Sequence, residues 1–168
     1  MHRLLEKLTP VAGAAYQAKV GLVRDYDNQF DARVDRWHER VQRQSEETIF
    51  RACQHTHTPL DYVYLDHTDA EALSRYDVLF CPHLSLMTEE RAALLEGFAA
   101  RGGKVVFGCR SAYKDMHGRC VTGLLPGVLR SLTCADIPEY SFIAPDAERV
   151  TIDWQGTQLT AAVFTDLL

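Results

Sequence analysis

No stretch of this sequence approaches the roughly 18 consecutive apolar residues that a membrane-spanning helix needs. Basic residues are in deficit as well: 18 Lys and Arg stand against 23 Asp and Glu, a formal charge of -5. That leaves no cationic stripe to replace phosphate counterions, and argues against a nucleic-acid partner. A regular cysteine framework is also missing. The five cysteines (53, 81, 109, 120 and 134) are odd in number and unevenly spaced, which fits reduced cytosolic thiols better than disulfides. The opening residues, Met1-His2-Arg3-Leu4-Leu5-Glu6-Lys7-Leu8, are too charged for a secretory leader. No internal repeat or low-complexity linker is visible. Together these absences predict a soluble, cytoplasmic domain without a membrane or nucleic-acid partner. What remains is ample for one core, with 46% apolar residues in 168.

The periodicity reads as strands alternating with helices. Leu4, Leu5, Leu8 and Val11 recur at helical spacing, interrupted by Pro10, so residues 1–16 are expected to be a helical lead-in from a preceding domain. Residues 17–168 are expected to form one domain. Strands are predicted at Lys19–Arg24, Leu60–Leu65, Asp77–Cys81 and Val105–Gly108. A long helix is predicted from about Arg33 to Gln54, with Val34, Trp37, Val41, Thr48 and Ala52 as its buried stripe. A short helix is predicted around Asp69–Ser74. Thr88 reads as the N-cap of a helix over Glu89–Ala100, and Gly102 or Gly103 as its left-handed end. Pro126-Gly127 opens a further short helix. Ile137–Glu148, rich in Pro and acids, reads as a soft boundary before a β-hairpin made of Arg149–Trp154 and Thr157–Phe164.

Alternation of this kind implies an α/β fold with a parallel sheet and right-handed crossovers. The simplest strand order is the flavodoxin-like 2-1-3-4, in three layers, with the hairpin as an antiparallel addition. Ligands of such sheets gather where the strand order reverses. The loops there are Asp25–Asn28, Pro82–Ser85 and Gly108–Ser111, which makes Asp25, Tyr26, Asp27, His83, Cys109, Arg110 and Ser111 the candidate site residues.

Each candidate chemistry meets an obstacle. Cys109 follows a strand and a glycine, as in the Gly-x-Cys-x-Gly nucleophile elbow of class I glutamine amidotransferases. The thiol falls one place early, however: Arg110 stands in the nucleophile's position and Ala112 in that of the second small residue. His117 is the only histidine that follows. Asp25 and Asp27 could hold Mg²⁺, but the third strand ends in Cys81-Pro82-His83 rather than in another acid. The alternative is that Asp25 and Asn28 bond loop backbone, or that Asp25 pairs with Arg110. Cys53-x-His55-x-His57, with His67, lacks the bite of a structural zinc site. Neither a metal nor a cofactor is expected, and no catalytic residue is assigned. Two-carboxylate glycoside chemistry has only Asp25 and Asp27 to draw on, and a (β/α)₈ barrel takes about 250 residues.

The order of motifs is more informative. Ala18-Lys19-Val20 leading to Arg24-Asp25-Tyr26-Asp27-Asn28, Leu73-Ser74-Arg75-Tyr76-Asp77-Val78, Gly102-Gly103, Arg110-Ser111-Ala112-Tyr113-Lys114-Asp115 and Leu125-Pro126-Gly127-Val128-Leu129-Arg130 occur in sequence. This series resembles the trimerisation domain of family 42 β-galactosidases, whose fold is that of class I glutamine amidotransferases. The chain departs from that pattern at Gln29-Phe30, where a pair of Trp is common, at Thr133-Cys134, and at Phe164-Thr165-Asp166. The resemblance implies a non-catalytic domain that holds three subunits together, while the catalytic glutamates of such enzymes lie on a separate barrel. Its surfaces for self-association, or for a family 42 barrel, are expected on exposed helix faces and around Asp25–Arg33 and Ser111–Leu124. Two other classes remain open from the residues alone: an amidotransferase-like enzyme using Cys109, and a small-molecule-binding module lined by Tyr26, His83 and Arg110. Arg110 is expected to anchor the switch-point loops through Asp25 or Asp27.

Overall fold

In a computed structural model, residues 2–144, 146–161 and 163–167 are described. Four parallel strands form the main sheet: β1 (Val20–Val23), β2 (Leu60–Val63), β3 (Val78–Cys81) and β4 (Lys104–Phe107). Their order is β2-β1-β3-β4, as expected. The register pairs Val20 with both Leu60 and Val78, and Val78 with Lys104. Right-handed crossovers are the rule for parallel connections of this kind. The β1-to-β2 connection steps one way along the sheet, whereas the next two step the other way, so their helices cover opposite faces. Leu22 and Val23, adjacent on β1 and pointing to opposite sides, are accordingly both fully buried.

The helices are α1 (His2–Leu8), α2 (Tyr26–Ala32), α3 (Arg36–His55), α4 (Ala70–Leu73), α5 (Glu89–Ala100) and α6 (Arg130–Thr133). α5 has the expected bounds. The Thr88 hydroxyl accepts from the Arg91 amide at 3.2 Å, and Glu89 and Glu90 occupy the positive end of the helix dipole. Leu95 and Phe98 of α5 pack with Val23, Val63, Leu79, Cys81, Leu84 and Leu129 in the main core.

Two expectations are corrected here. The predicted loop Asp25–Asn28 is the cap and first turn of α2, and the long helix expected from about Arg33 to Gln54 is one helix, α3, that begins only at Arg36. The cause is a second cap: the Asp35 carboxylate accepts from the Trp37 and His38 amides, both at 3.1 Å, which starts α3 there. Val34 falls in the turn between the two helices and is 89% exposed. The stripe of α3 is therefore rotated from the predicted one. Val41 stays buried, but His38, Gln42 and Cys53 join it, while Thr48 and Ala52 face solvent.

The C-terminal part differs more. The hairpin β6 (Val150–Trp154) and β7 (Thr157–Ala161) is present, but it is its own two-stranded sheet and does not extend the parallel one. The expected boundary at 137–148 contains a strand, β5 (Glu139–Phe142), which pairs antiparallel with β8 (Phe164–Leu167). Tyr140 and Phe142 are good strand formers, and the acids and prolines around them concealed this. The long second arm of the predicted hairpin is split, with Ala161 ending β7 and Phe164 opening β8.

Leu79→Ala, which empties a fully buried position on β3, is expected to lower stability by about 2–5 kcal/mol. Val34→Ala is expected to change it by less than about 0.5 kcal/mol. Urea unfolding of the two variants compares them, and a large loss at Val34 would restore it to a buried stripe.

Candidate functional site at the sheet switch point

The carboxyl ends of the strands carry two buried cations, each gathering its own set of partners. The first is Arg91, in the first turn of α5. Its Nη1 donates to Asp25 at 2.7 Å, and its Nε donates to Asp66 at 2.8 Å. Asp27 lies farther off, at 3.7 Å. The carboxylates of Asp25, Asp27 and Asp66 converge closely enough to suggest a cation site, but a guanidinium already fills that role. Hydrogen bonding from Arg91 holds the Asp66 carboxyl below its ordinary range, in spite of partial burial, and the same bond raises the arginine.

Asp25 also caps α2, accepting from the Asp27 amide at 3.1 Å. Beside it Asn28, fully buried, spans two elements. Its Nδ2 donates to Asp25 and to the Leu86 carbonyl, and its Oδ1 accepts from the Leu86 amide at 2.8 Å. Ser85 lies within hydrogen-bond distance of Asn28 and Asp31, and Lys114 donates to both oxygens of Asp31 at 2.9 and 2.8 Å. The bonding of Asp25 and Asn28 to loop backbone was expected. The charge partner of Asp25 was not: it is Arg91 rather than Arg110.

Arg110, the second cation, is buried and adopts a positive φ of 59°. Its Nη1 donates to Asp35 at 3.0 Å and its Nη2 to the Tyr113 hydroxyl at 2.7 Å. The guanidinium carbon lies 4.5 Å from the Tyr113 ring centre, 5.1 Å from that of Tyr140 on β5 and 4.6 Å from that of Phe164 on β8. Arg110 is an anchor, as expected, but it ties the sheet to α3 and to the C-terminal strands rather than to Asp25 or Asp27. Burial raises the Asp35 carboxyl, but bonds from the His38 amide and from Arg110 outweigh it and leave the group lowered.

His83, also at positive φ (54°), packs so closely on Gly108 that a β-carbon there would stand 2.6 Å from the imidazole. This close approach accounts for the glycine that resembled part of an elbow. His83 Nδ1 lies 2.8 Å from the Cys109 carbonyl and 3.4 Å from the Cys109 sulfur, and Nε2 lies 2.8 Å from the Ser45 hydroxyl. A carbonyl only accepts, so Nδ1 carries the proton and Nε2 accepts from Ser45. The nitrogen nearest the thiol is thus a donor already directed at oxygen. It is poorly placed to remove a thiol proton, because a general base must offer a lone pair. Burial lowers the basicity of His83 further. Ser111 Oγ closes the turn by donating to the Gly108 carbonyl at 2.8 Å.

Neighbouring His38 donates from Nε2 to the His83 carbonyl at 2.9 Å. Burial, with the Arg110 charge and His83 adding to it, drives His38 down to about 4.

The predicted site residues therefore do not form one pocket. Tyr26 is exposed, stacks on Tyr64 at 5.5 Å, and borders a 200 Å³ depression around Arg91. His83 and Cys109 line a separate open groove of 520 Å³ between α3 and Thr160, Val163 and Phe164. Cys53 is buried in α3 whereas His55 and His57 are exposed. The residues that sequence reasoning missed are Arg91, Asp35 and His38. Arg91 did carry a signal: a cation in the first turn of a helix opposes the dipole, and needs some other partner to hold it.

Residues 18–168 match the family described as the β-galactosidase trimerisation domain. The chain belongs to that family. Among relatives of this trimerisation domain, the β-galactosidase BgaH of Haloferax lucentense is 32% identical over 95 residues, covering 56% of the chain and 14% of the relative. BglY of Alicyclobacillus acidocaldarius is 26% identical over 152 residues, 89% of the chain and 21% of the relative. The domain thus spans at most about a fifth of the length of these curated relatives. Its fold is that of a segment of Gan42B, a GH42 β-galactosidase from G. stearothermophilus, with a TM-score of 0.83, 22% identity, and coverage of 98% of this chain and 24% of that one. The β-galactosidase of Halorubrum lacusprofundi gives 0.79 at 24% identity, over 96% and 24%. No helix among the described residues is long and apolar enough to cross a membrane.

Two expected outcomes test the site. Arg110→Ala is expected to cost roughly 3–5 kcal/mol, the scale for breaking a buried pair, and Arg110→Lys to recover less than half, because an ammonium lacks the planar fork. Equal stability of the Lys variant and the wild type in urea would reduce the anchor to a point charge. The second concerns pH. The folded pKa of His38 lies below the unfolded value of 6.5, so its contribution is complete above that pH and is lost as pH falls toward about 4. His83 acts in the same direction. His38→Gln, which keeps a donor for the His83 carbonyl, is expected to remove up to ~3 kcal/mol of the stability change between those limits. An unchanged slope in pH-dependent melts would reassign it.

Proposed function

We propose that this chain is a non-catalytic assembly module that holds three copies of a β-galactosidase-type glycoside hydrolase together, the galactosidase chemistry residing on a barrel elsewhere in such a protein. The observation that carries this reading is the match of residues 18–168 to a family described by trimerisation, and at the switch point His83 directs its Nδ1 proton at the Cys109 carbonyl. The buried arginines support it too. Arg91 and Arg110 occupy the places where a ligand or a nucleophile would act, and both are tied to carboxylates. Residues 1–16 form the lead-in from the rest of the protein: Leu4, Leu5, Leu8 and Val11 on α1 and the turn after it are all exposed, an apolar surface suited to packing against a neighbouring domain. Cys53, Cys81, Cys120 and Cys134 are free thiols, in keeping with work in a reducing compartment such as the cytoplasm.

The test is the mass of the purified chain by light scattering across concentration, together with an assay on an aryl galactoside. A trimer without galactosidase activity is expected, and Cys109→Ser is expected to change neither property. A strict monomer at high concentration would end the claim that this chain assembles by itself, and turnover of the galactoside would end the non-catalytic one.

A further inference from the structure

Three arginines meet on the flank of the domain where the end of β1 lies beside α2 and α3. Arg24 follows β1, Arg33 follows α2 and Arg43 is on α3, and all three line one depression of 170 Å³. Glu39, Gln42, Arg43 and Glu46 recur at helical spacing along α3 and share its wall. The guanidinium carbon of Arg24 lies 5.6 Å from the Tyr62 ring centre, and that of Arg33 lies 5.3 Å from the Phe30 ring centre. A ring face positions a guanidinium group but offers its N–H groups no oxygen. Among the described residues none of these three arginines forms an ion pair, whereas Arg75, Arg91, Arg110 and Arg130 each pair with an aspartate. Burial raises the Glu46 carboxyl from its ordinary range, with Arg24 and Gln29 lowering it in part, so this acid is a weak counter-charge for them. The same wall holds two orphan donors. Arg24 Nε and Gln42 Nε2 are buried, and neither has an acceptor among the described residues. Gln42 as a whole is only 3% exposed. Buried polar groups nearly always find partners, and an exception calls for a reason.

We infer that this depression is a binding site for a small dianionic oxyanion, a phosphate group carried by a small ester or free in solution. Three forks of N–H donors, with the Gln42 amide beside them, exceed what one planar carboxylate can accept. They match a tetrahedral group with several oxygens. The volume is below the roughly 300–1,000 Å³ of drug-sized sites, so it takes the charged group and leaves the rest of an ester outside. An acidic side chain of another protein brings one charge to three guanidinium groups, which is why the dianion is the better fit. The site is independent of the assembly proposed above.

The test measures binding of inorganic phosphate to the 168-residue chain by calorimetry, with glycerol phosphate and acetate as further probes. Arg33→Ala, Arg43→Ala and Gln42→Leu are the site variants, and Arg51→Ala, on α3 outside the depression, is the control. Phosphate is expected to bind the wild type and the control, and to bind each arginine variant at least ~10-fold more weakly. Gln42→Leu removes a buried donor that has no acceptor. It is expected to weaken phosphate binding while leaving the melting temperature of the free chain unchanged or higher. Tighter binding of glycerol phosphate than of phosphate makes the ligand an ester, and the reverse order makes it the free ion. Three results would each overturn the site: no binding of either phosphate probe at millimolar concentration, equal binding by the arginine variants and the wild type, or acetate bound as tightly as phosphate. Loss of a trimer in the arginine variants with phosphate binding intact would give these groups to a second copy instead. Should an arginine variant fail to fold, Gln42→Leu decides.

Discussion

A single guanidinium binds together parts of the chain that share no backbone hydrogen-bond ladder. Arg110 leaves the end of β4, meets Asp35 at the start of α3, and is faced by rings from Tyr113, Tyr140 and Phe164. Among the described residues the β5–β8 sheet pairs with no strand of the parallel sheet, and these cation–aromatic contacts, with the Trp37–Phe142 ring contact at 4.7 Å, help to hold it in place. Arginine suits that role because its flat, weakly hydrated cation can stack and donate at the same time. The left-handed backbone at Arg110 and Ala112 is the strain accepted for aiming it there.

The other switch-point groups follow the same logic of satisfied burial. Asp25, Asn28 and Ser85 are buried and hydrogen-bonded, and Arg91 neutralises the carboxylates that could otherwise have gathered a cation. His38 and His83 are kept neutral and used as donors to carbonyls. The location that serves as an active site in many open α/β sheets is here committed to internal bonds. That commitment suits a domain whose family is described by assembly rather than chemistry.

Much of this was legible in the residues. The four parallel strands, their order and the bounds of α5 follow from apolar runs and from one good cap at Thr88. The family was legible because several short motifs occur in order. Other features escaped because local and distant signals coincide in one residue. Asp35 looks like a surface acid within a helix, and only its hydrogen bonds to two amides and to Arg110, 75 residues away, make it a boundary. The partners of Arg91 lie 25 and 66 residues away, a separation on which periodicity is silent. Strand β5 was hidden because a pair of aromatics among acids and prolines has no alternation long enough to read, and it gains its definition from β8 near the end of the chain.

The span of these contacts bears on synthesis. Asp31 and Asp35 near the start of the chain are fixed by Lys114 and Arg110, 83 and 75 residues later. At a ribosomal pace of about 5–20 residues per second, the first half of the domain waits roughly 4–17 seconds for the cations that lock it. During that interval α3 is capped locally but has no fixed seat on the sheet. The nascent domain is thus a late closer, completed only when the turn after β4, and then the strands whose rings enclose Arg110, have left the ribosome.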